Sequence, residues 1–405
     1  MRKISANYIF PVFSPPIKNG ILILDNNGKV KDLVDPGRDA GKIENVEVFN
    51  GILVPGFVNT HTHLELSHLK GKIPTGTGLP SFIHEILRLR ENEEAIIRDA
   101  AARGVSEMER NGIVAAGDIS NTNISFPLKV NGKIKFHTFV EVFGLIPNEA
   151  KEKIRDGLKL LTLIIKRNSH PASLSPHAPY SVSSELLTEI SKYIKNNPAP
   201  VTFHNQECRE ELEMFSFNKG KLKLTLEKTG LDMTKWKSPG KSSLLWMLGN
   251  LPEKTKILSV HNTYTPAKDI ETACKYKPHV YWTLCPGANL YIEKRIPDIN
   301  ALLQYTNNIT IGTDSLASNH TLSVLDELII LHEHFPQIPV EKLINWGTLN
   351  GAKALNIDKE IGSFETGKNP GVNLIYALDL QNMKLTKETK VKPIKVGSQQ
   401  SAVNK

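Results

Sequence analysis

The chain has 405 residues, 40% of them hydrophobic and 23% charged, which is typical of a folded globular protein and excludes a disordered or fibrous one. Its three cysteines, Cys208, Cys274 and Cys285, form no C-x-x-C pair, which argues against a disulfide framework and favours a reducing compartment, the cytoplasm. The net charge is +8, but the lysines and arginines are interleaved with acidic residues, so we expect no nucleic-acid binding. No run reaches 18 apolar residues, so we expect no membrane span.

Strand patterns lie at both ends of the chain. They are short apolar runs bounded by turn residues, at 20–25, 29–34, 372–376 and 389–396. The first two runs flank an Asn-Asn-Gly turn, which is a hairpin pattern. We predict that residues 1–55 and 359–396 together build one small β-sandwich-like domain, and that 397–405 form a flexible tail.

The middle of the chain, from 56 to 358, alternates between strand and helix patterns. Eight strands are predicted there, at 57–60, 113–118, 135–142, 172–175, 201–204, 257–261, 280–284 and 309–313. Eight such units over about 300 residues are typical of a (β/α)8 TIM barrel, so the predicted fold is α/β. The longest interruption, 205–240, is predicted to be an active-site loop region with some helix.

Histidines lie at the ends of several predicted strands, two of them at the end of the first strand. His61 and His63 are two positions apart in a strand, so their side chains point to the same face. Alone, such a pair also fits two buried structural histidines. Three more metal-binding side chains, those of His204, His261 and Asp314, end later strands, where the active sites of barrels lie. Imidazole nitrogens and carboxylate oxygens bind zinc and similar ions, so the pattern predicts a metal centre.

Longer motifs surround these residues. They include Pro55-Gly-Phe-Val-Asn-Thr-His-Thr-His-Leu64, Ser175-Pro-His-Ala-Pro-Tyr180, His204-Asn-Gln-Glu207, Ser259-Val-His261 and Gly312-Thr-Asp-Ser315. In combination and in order, the motifs resemble those of the amidohydrolase superfamily. More narrowly, they resemble its aminohydrolase branch, which contains cytosine, guanine, S-adenosylhomocysteine and aminodeoxyfutalosine deaminases and the triazine hydrolases.

The resemblance implies a metal-dependent hydrolase of non-peptide C–N bonds. The implied ligands of one divalent ion are His61, His63, His204 and Asp314. Zinc is favoured and iron is the alternative, because such ligands suit both ions. The fourth predicted strand, 172–175, offers no lysine for a second metal. Glu207 would carry a proton to a ring nitrogen, His261 would help to deprotonate the attacking water, and Asp314 would pass a proton to the departing ammonia.

Four further residues are predicted to contact the substrate: His177, Glu65, Glu141 and Asn289. A structural role is the alternative for each of these four residues. For Glu207, which stands in an acidic run with Glu210, Glu211 and Glu213, the alternative is a helix cap or a surface position. We expect a small N-heterocyclic substrate, purine- or nucleoside-like, with aminodeoxyfutalosine as one candidate. Hydrolysis of a cyclic amide, imidazolone or chloro-triazine at the same site, or an inactive ligand-binding barrel, are the alternatives. A homo-oligomer is left open.

Overall fold

The computed structural model describes residues 1–37, 43–130, 132–168, 170–228, 231, 233 and 236–395. The tail predicted over 397–405 and the last residue of the strand predicted at 389–396 lie outside these residues. The chain divides into two compact units. Unit 1 comprises Met1–Asn59, Ser106–Ala116 and Ser323–Lys405, and unit 2 comprises Thr60–Val105 and Gly117–Leu322.

The described residues contain fifteen strands and fourteen α-helices. The strands are β1 (Arg2–Ile9), β2 (Ile17–Lys18), β3 (Ile21–Leu24), β4 (Val30–Val34), β5 (Glu47–Pro55), β6 (Phe57–Thr62), β7 (Ile113–Ser120), β8 (Lys135–Val142), β9 (Ala172–Pro176), β10 (Val201–Asn205), β11 (Ile257–His261), β12 (Val280–Leu284), β13 (Ile309–Ile311), β14 (Val372–Tyr376) and β15 (Lys390–Pro393). The helices are α1 (Leu79–Leu89), α2 (Glu94–Arg110), α3 (Phe126–Val130), α4 (Ala150–Asn168), α5 (Ser184–Asn196), α6 (Arg209–Phe217), α7 (Lys221–Lys228), α8 (Ser243–Asn250), α9 (Ala267–Tyr276), α10 (Pro286–Glu293), α11 (Ile299–Tyr305), α12 (Val324–His334), α13 (Val340–Trp346) and α14 (Leu349–Ala354).

Seven strands of unit 1 form one mixed sheet, in the order β15-β14-β5-β1-β3-β4, with β2 paired to β1. The predicted hairpin is present, because β3 and β4 are antiparallel neighbours. β5 and β14, from opposite ends of the chain, are also antiparallel neighbours. Gly51 in β5 has a φ of +136°, and a Cβ there would lie 2.2 Å from the carbonyl oxygen of Ile375, so this close pairing requires glycine.

The eight strands β6 to β13 form two four-stranded sheets, in the orders β6-β7-β8-β9 and β10-β11-β12-β13. Each of the eight strands begins and ends within two residues of its predicted position. β8 and β9 are parallel, and so are all neighbours from β10 to β13. Parallel strands bring their carboxyl ends to the same edge, so side chains from distant parts of the sequence meet there.

Hydrogen bonds link the two sheets at both outer edges. Between β9 and β10, the His204 amide donates to the His177 carbonyl at 2.8 Å. At the opposite edges, Thr62 pairs with Asp314 in a parallel bridge, and the Asp314 amide donates to the His61 carbonyl at 3.0 Å. The first and last strands of the eight are therefore neighbours, as are the fourth and fifth.

Helices separate most of these strands, as the sequence pattern predicts. In α5, Ser183 caps the first turn by accepting from the Leu186 amide at 3.1 Å, and the helix buries Leu186, Leu187, Ile190 and Ile194 at three- and four-residue spacing. The interruption predicted at 205–240 contains α6 and α7. Among the described residues, no helix combines the length and apolar character that crossing a membrane requires.

Candidate metal centre and substrate cavity

Four side chains of unit 2 converge at the carboxyl ends of β6, β10 and β13. The Nε2 atom of His63 lies 3.1 Å from Nε2 of His61 and 3.2 Å from Nε2 of His204. Oδ1 of Asp314 lies 3.4 Å from Nε2 of His63 and 3.6 Å from Nε2 of His61. All four residues are at least nine-tenths buried. The structure therefore brings together the four residues that the sequence analysis implied as metal ligands.

The spacing of these donor atoms fits a single ion. Ligand atoms about 2.1 Å from a tetrahedral zinc ion lie about 3.4 Å from one another. The four separations given above, from 3.1 to 3.6 Å, bracket that value. Three imidazoles and one carboxylate also form a donor set that zinc and iron both accept.

The ionisation states of the four residues suit metal binding as well. Burial lowers the pKa of His61 to about 3 and also lowers the pKa of His63 and His204. Burial alone would raise the pKa of Asp314, but the adjacent imidazoles lower it well below its ordinary value. At neutral pH the imidazoles are therefore neutral and the carboxylate is charged, which are the forms that bind a metal.

His261, at the end of β11, reaches the same point. One ligand atom from each of His61, His204, His261 and Asp314 lies within 4.8 Å of the others. Nδ1 of His261 is 2.8 Å from Oδ1 of Asn289, so Nδ1–H is the donor and Nε2 carries the free lone pair. This arrangement lets Nε2 accept a proton or a hydrogen bond at the centre of the site.

Glu207 is buried beside His261. Its Oε2 lies 3.5 Å from Nε2 of His261, and its Oε1 accepts a hydrogen bond of 2.8 Å from the Tyr180 hydroxyl. Burial raises the pKa of Glu207 to about 7, although His204 and Tyr180 lower it. A carboxyl group with a pKa near the working pH exchanges protons readily, as general acid–base catalysis requires.

The backbone is strained where these side chains are aimed. His261, Asp314 and Gln206 have φ values of +70°, +56° and +44°, in the left-handed region that costs non-glycine residues about 1–3 kcal/mol each. Hydrogen bonds hold the strained positions. The Gln206 amide, for example, donates to the buried Glu211 carboxyl at 3.0 Å. Such strain is typical of functional sites, where side-chain direction matters more than local stability.

A cavity of about 390 Å³ adjoins the metal centre within unit 2. His63, His204, Glu207, His261 and Asp314 all line it. Most of the remaining lining is apolar and includes Leu66, Leu79, Phe82, Ile86, Phe143 and Ile292, and the charged side chains of Arg90 and Lys153 also reach it. A cavity with an apolar wall and a few converging polar groups is typical of a small-molecule site.

Two of the four predicted substrate-binding residues line this cavity. Glu141 and His177 both face it. The Glu141 carboxylate accepts from the side-chain amide of Asn121 at 3.0 Å, and Nδ1 of His177 lies 2.7 Å from Oγ of Ser181. These contacts orient both side chains and leave them available to a ligand.

The other two, Glu65 and Asn289, are not among the cavity-lining residues. Glu65 accepts from the Asn121 and Thr122 amides and from the Ser125 hydroxyl, at 3.0–3.2 Å, and so holds the loop after β7. Asn289 accepts a hydrogen bond from Nδ1–H of His261 through its Oδ1 atom. Both partnerships join residues far apart in the sequence, so no local pattern indicates them.

Three residues outside the predicted set also support the site. The Tyr180 hydroxyl donates a hydrogen bond to Glu207, and the Glu211 carboxyl accepts from the Gln206 and Glu207 amides at 3.0 and 3.2 Å. Ser318 donates to Oδ2 of Asp314 at 2.5 Å. Tyr180 lies inside the motif that begins at Ser175, which was the one available signal for it. Glu211 had no such signal, because it stands in an acidic run that also suits a solvated helix.

Comparison with known proteins identifies the family of this chain. Residues 52–396 match the amidohydrolase family. The chain belongs to the amidohydrolase family. It is 28% identical over 371 residues to the 5'-deoxyadenosine deaminase of Methanococcus vannielii, covering 84% of this chain and 82% of that protein. The chain is therefore a hydrolase, and the amidohydrolase resemblance of its motifs is confirmed.

Solved structures share its fold. The aminofutalosine deaminase of Helicobacter pylori, in complex with methylthio-coformycin, matches with a TM-score of 0.76 and 22% identity, over 95% of this chain and 94% of that one. The adenosine deaminase of Xanthomonas campestris with bound zinc matches with a TM-score of 0.70 and 18% identity, over 95% and 86%. The parallel sheets and mixed α/β architecture predicted from the sequence are thus those of known amidohydrolases.

Proposed function

We propose that this amidohydrolase hydrolytically deaminates an amino-substituted N-heterocycle of nucleoside-like character. One observation carries the proposal: the Glu207 carboxyl lines the cavity and lies 3.5 Å from Nε2 of His261. Deamination requires a group that moves a proton to a ring nitrogen while water attacks the neighbouring carbon. A site that only binds a metal and a ligand requires neither the carboxyl nor its proximity to the histidine.

His61, His63, His204 and Asp314 would hold one divalent ion. When bound, the ion lowers the pKa of water toward 7 and so supplies hydroxide at neutral pH. The donor set suits zinc and iron alike. We favour zinc, which the structure of the Xanthomonas deaminase contains. β9 carries no lysine to bridge a second ion, which supports one metal.

The other residues act on protons. Nε2 of His261 accepts a hydrogen bond or proton from the attacking water, because Asn289 keeps the proton of the ring on Nδ1. Glu207 takes the first proton of the attacking water, which His261 helps to remove, and delivers it to the ring nitrogen beside the attacked carbon. Asp314, whose Oδ2 accepts from Ser318, takes the second proton of that water, from the hydroxyl now on the attacked carbon, and passes it to the departing amino group, which leaves as ammonia.

The cavity supports a substrate larger than a bare heterocycle. Metal-site residues line it together with apolar side chains such as Phe82 and Ile86, and its volume of about 390 Å³ leaves space for a substituent on the ring. Two of the deaminases that match this chain act on 5'-deoxyadenosine and aminofutalosine by name, which supports a nucleoside carrying an altered 5' end. Aminodeoxyfutalosine stays a candidate.

We also propose that the chain folds as a closed barrel with a composite β domain. The edge hydrogen bonds between β9 and β10, and between His61 and Asp314, support closure of the eight strands into a (β/α)8 barrel. The sheet shared by both chain ends supports one small composite β domain over 1–55 and 359–396, and the eight strands of the two parallel sheets support a catalytic domain over 56–358. A cytoplasmic location stays a prediction, and the oligomeric state stays open.

An ammonia-release screen tests the proposal. Zinc- and iron-reconstituted protein is incubated with adenine nucleosides, purines, pterins and pyrimidines, and we expect at least one adenine nucleoside to release ammonia. Glu207→Gln should retain the metal and lose about 100-fold or more of kcat. The matched control is Glu210→Gln, in the same acidic run, which should keep wild-type turnover. Metal-loaded protein that releases no ammonia from any compound would contradict deamination, and a fully active Glu207→Gln would contradict the role of that residue.

A further inference from the structure

Tyr180 is buried against the residue on which the proposed proton transfer depends. Its hydroxyl donates to Oε1 of Glu207 at 2.8 Å, and it also lines the cavity. The other oxygen of the same carboxyl, Oε2, faces Nε2 of His261 at 3.5 Å. The two carboxyl oxygens therefore have different partners, one of them a fixed donor and the other a group at the reacting centre.

We propose that Tyr180 is a positioning residue that engages Oε1 of Glu207 and so leaves Oε2, beside His261, as the oxygen that carries the transferred proton. The proposal rests on the function proposed above. Oε2 takes a proton from the attacking water and gives it to the ring nitrogen, which re-forms the Glu207 carboxylate. A carboxyl free to rotate would offer the proton from either oxygen, and only one of them faces the reacting centre.

The backbone under Glu207 is fixed independently of Tyr180. The Gln206 and Glu207 amides donate to the fully buried Glu211 carboxyl at 3.0 and 3.2 Å. The Tyr264 amide donates to the Gln206 carbonyl at 3.0 Å. Because the main chain is held at these points, the direction of the Glu207 carboxyl depends on its side-chain torsions, and the Tyr180 hydroxyl is the contact that restrains them.

The ring and the hydroxyl of Tyr180 have separable roles. The ring packs in an apolar cluster with Leu69, Cys208, Met214 and Phe215, and phenylalanine would preserve that packing. Tyr291 belongs to the same cluster, but its hydroxyl donates to the Ile73 carbonyl, away from Glu207. Tyr291→Phe is therefore a matched control for the loss of one buried hydroxyl.

The experiment compares Tyr180→Phe with Tyr291→Phe in the metal-loaded protein. Steady-state ammonia release should show kcat lowered about 10- to 100-fold in Tyr180→Phe, with KM within about threefold, because a hydrogen bond to a chemically active carboxyl is lost. Infrared difference spectroscopy provides a second readout. The carboxyl band assigned to Glu207, by its absence from Glu207→Gln, should shift in Tyr180→Phe and stay in place in Tyr291→Phe.

The outcomes separate this inference from the proposed function. Equal kcat in the two tyrosine variants, a change confined to KM, or an unmoved Glu207 band would each overturn the role of Tyr180. Wild-type protein that releases no ammonia would instead overturn the proposed function. The infrared band would then still decide whether Tyr180 engages Glu207.

Discussion

Replacing Asn289 by leucine tests how far the chemistry depends on the orientation of one imidazole. Oδ1 of Asn289 accepts from Nδ1–H of His261 at 2.8 Å, and its Nδ2 approaches the His261 carbonyl at 3.5 Å. Leucine has similar volume and neither polar atom, so Nδ1 of the fully enclosed histidine loses its acceptor. The ring can then place its proton on Nε2, where the lone pair is needed.

The magnitude follows from burial. His261 and Asn289 are 2% and 3% exposed, so water does not replace the lost acceptor. A buried donor left unsatisfied costs about 1–3 kcal/mol, which corresponds to a factor of about 5 to 150 in rate. We expect kcat to fall by such a factor, while the metal content is unchanged because the four ligands are untouched.

The assay is ammonia release, with metal content measured on the same samples. Asn289→Asp keeps an acceptor at the same position and should restore most of the lost kcat, which separates positioning from packing. The reasoning is refuted if Asn289→Leu raises KM and leaves kcat unchanged. That result would place Asn289 against the substrate, as the sequence analysis predicted.

Two further predictions concern the anchors of the site. Glu65→Ala removes the acceptor of two backbone amides and the Ser125 hydroxyl, so we expect the free energy of unfolding to fall by about 1.5–3 kcal/mol in urea titrations, with KM unchanged. A raised KM with full stability would instead indicate a substrate contact. Removing the metal with a chelator should lower the melting temperature, and zinc should restore it. Compared with protein in free zinc at about 1,000 times Kd, the metal-free protein should have a free energy of unfolding lower by about 4 kcal/mol. An unchanged melting temperature would argue against a bound ion.

The amino-acid sequence by itself determined the eight strands β6 to β13 and the strand ends at which the candidate site lies. Alternating strand and helix patterns depend on side-chain periodicity within a few residues, so all eight strands were predictable to within two residues. His61, His63, His204, His261 and Asp314 were predictable as a group, because parallel strands bring their carboxyl ends together. That rule needs only the order of the elements, whereas the choice of His61, His63, His204 and Asp314 as ligands came from the resemblance to the amidohydrolase superfamily.

Only the tertiary structure showed which polar residues line the cavity and which form hydrogen bonds to other residues of the site. Glu65 and Asn289 were expected at the substrate, yet they bond the loop after β7 and His261. The partners of Asn289 and Tyr180 lie 28 and 27 residues away in sequence, and the direction of a hydrogen bond across such a distance depends on packing and backbone strain. Periodicity carries no information about either, so the supporting contacts of the site emerged only with the fold.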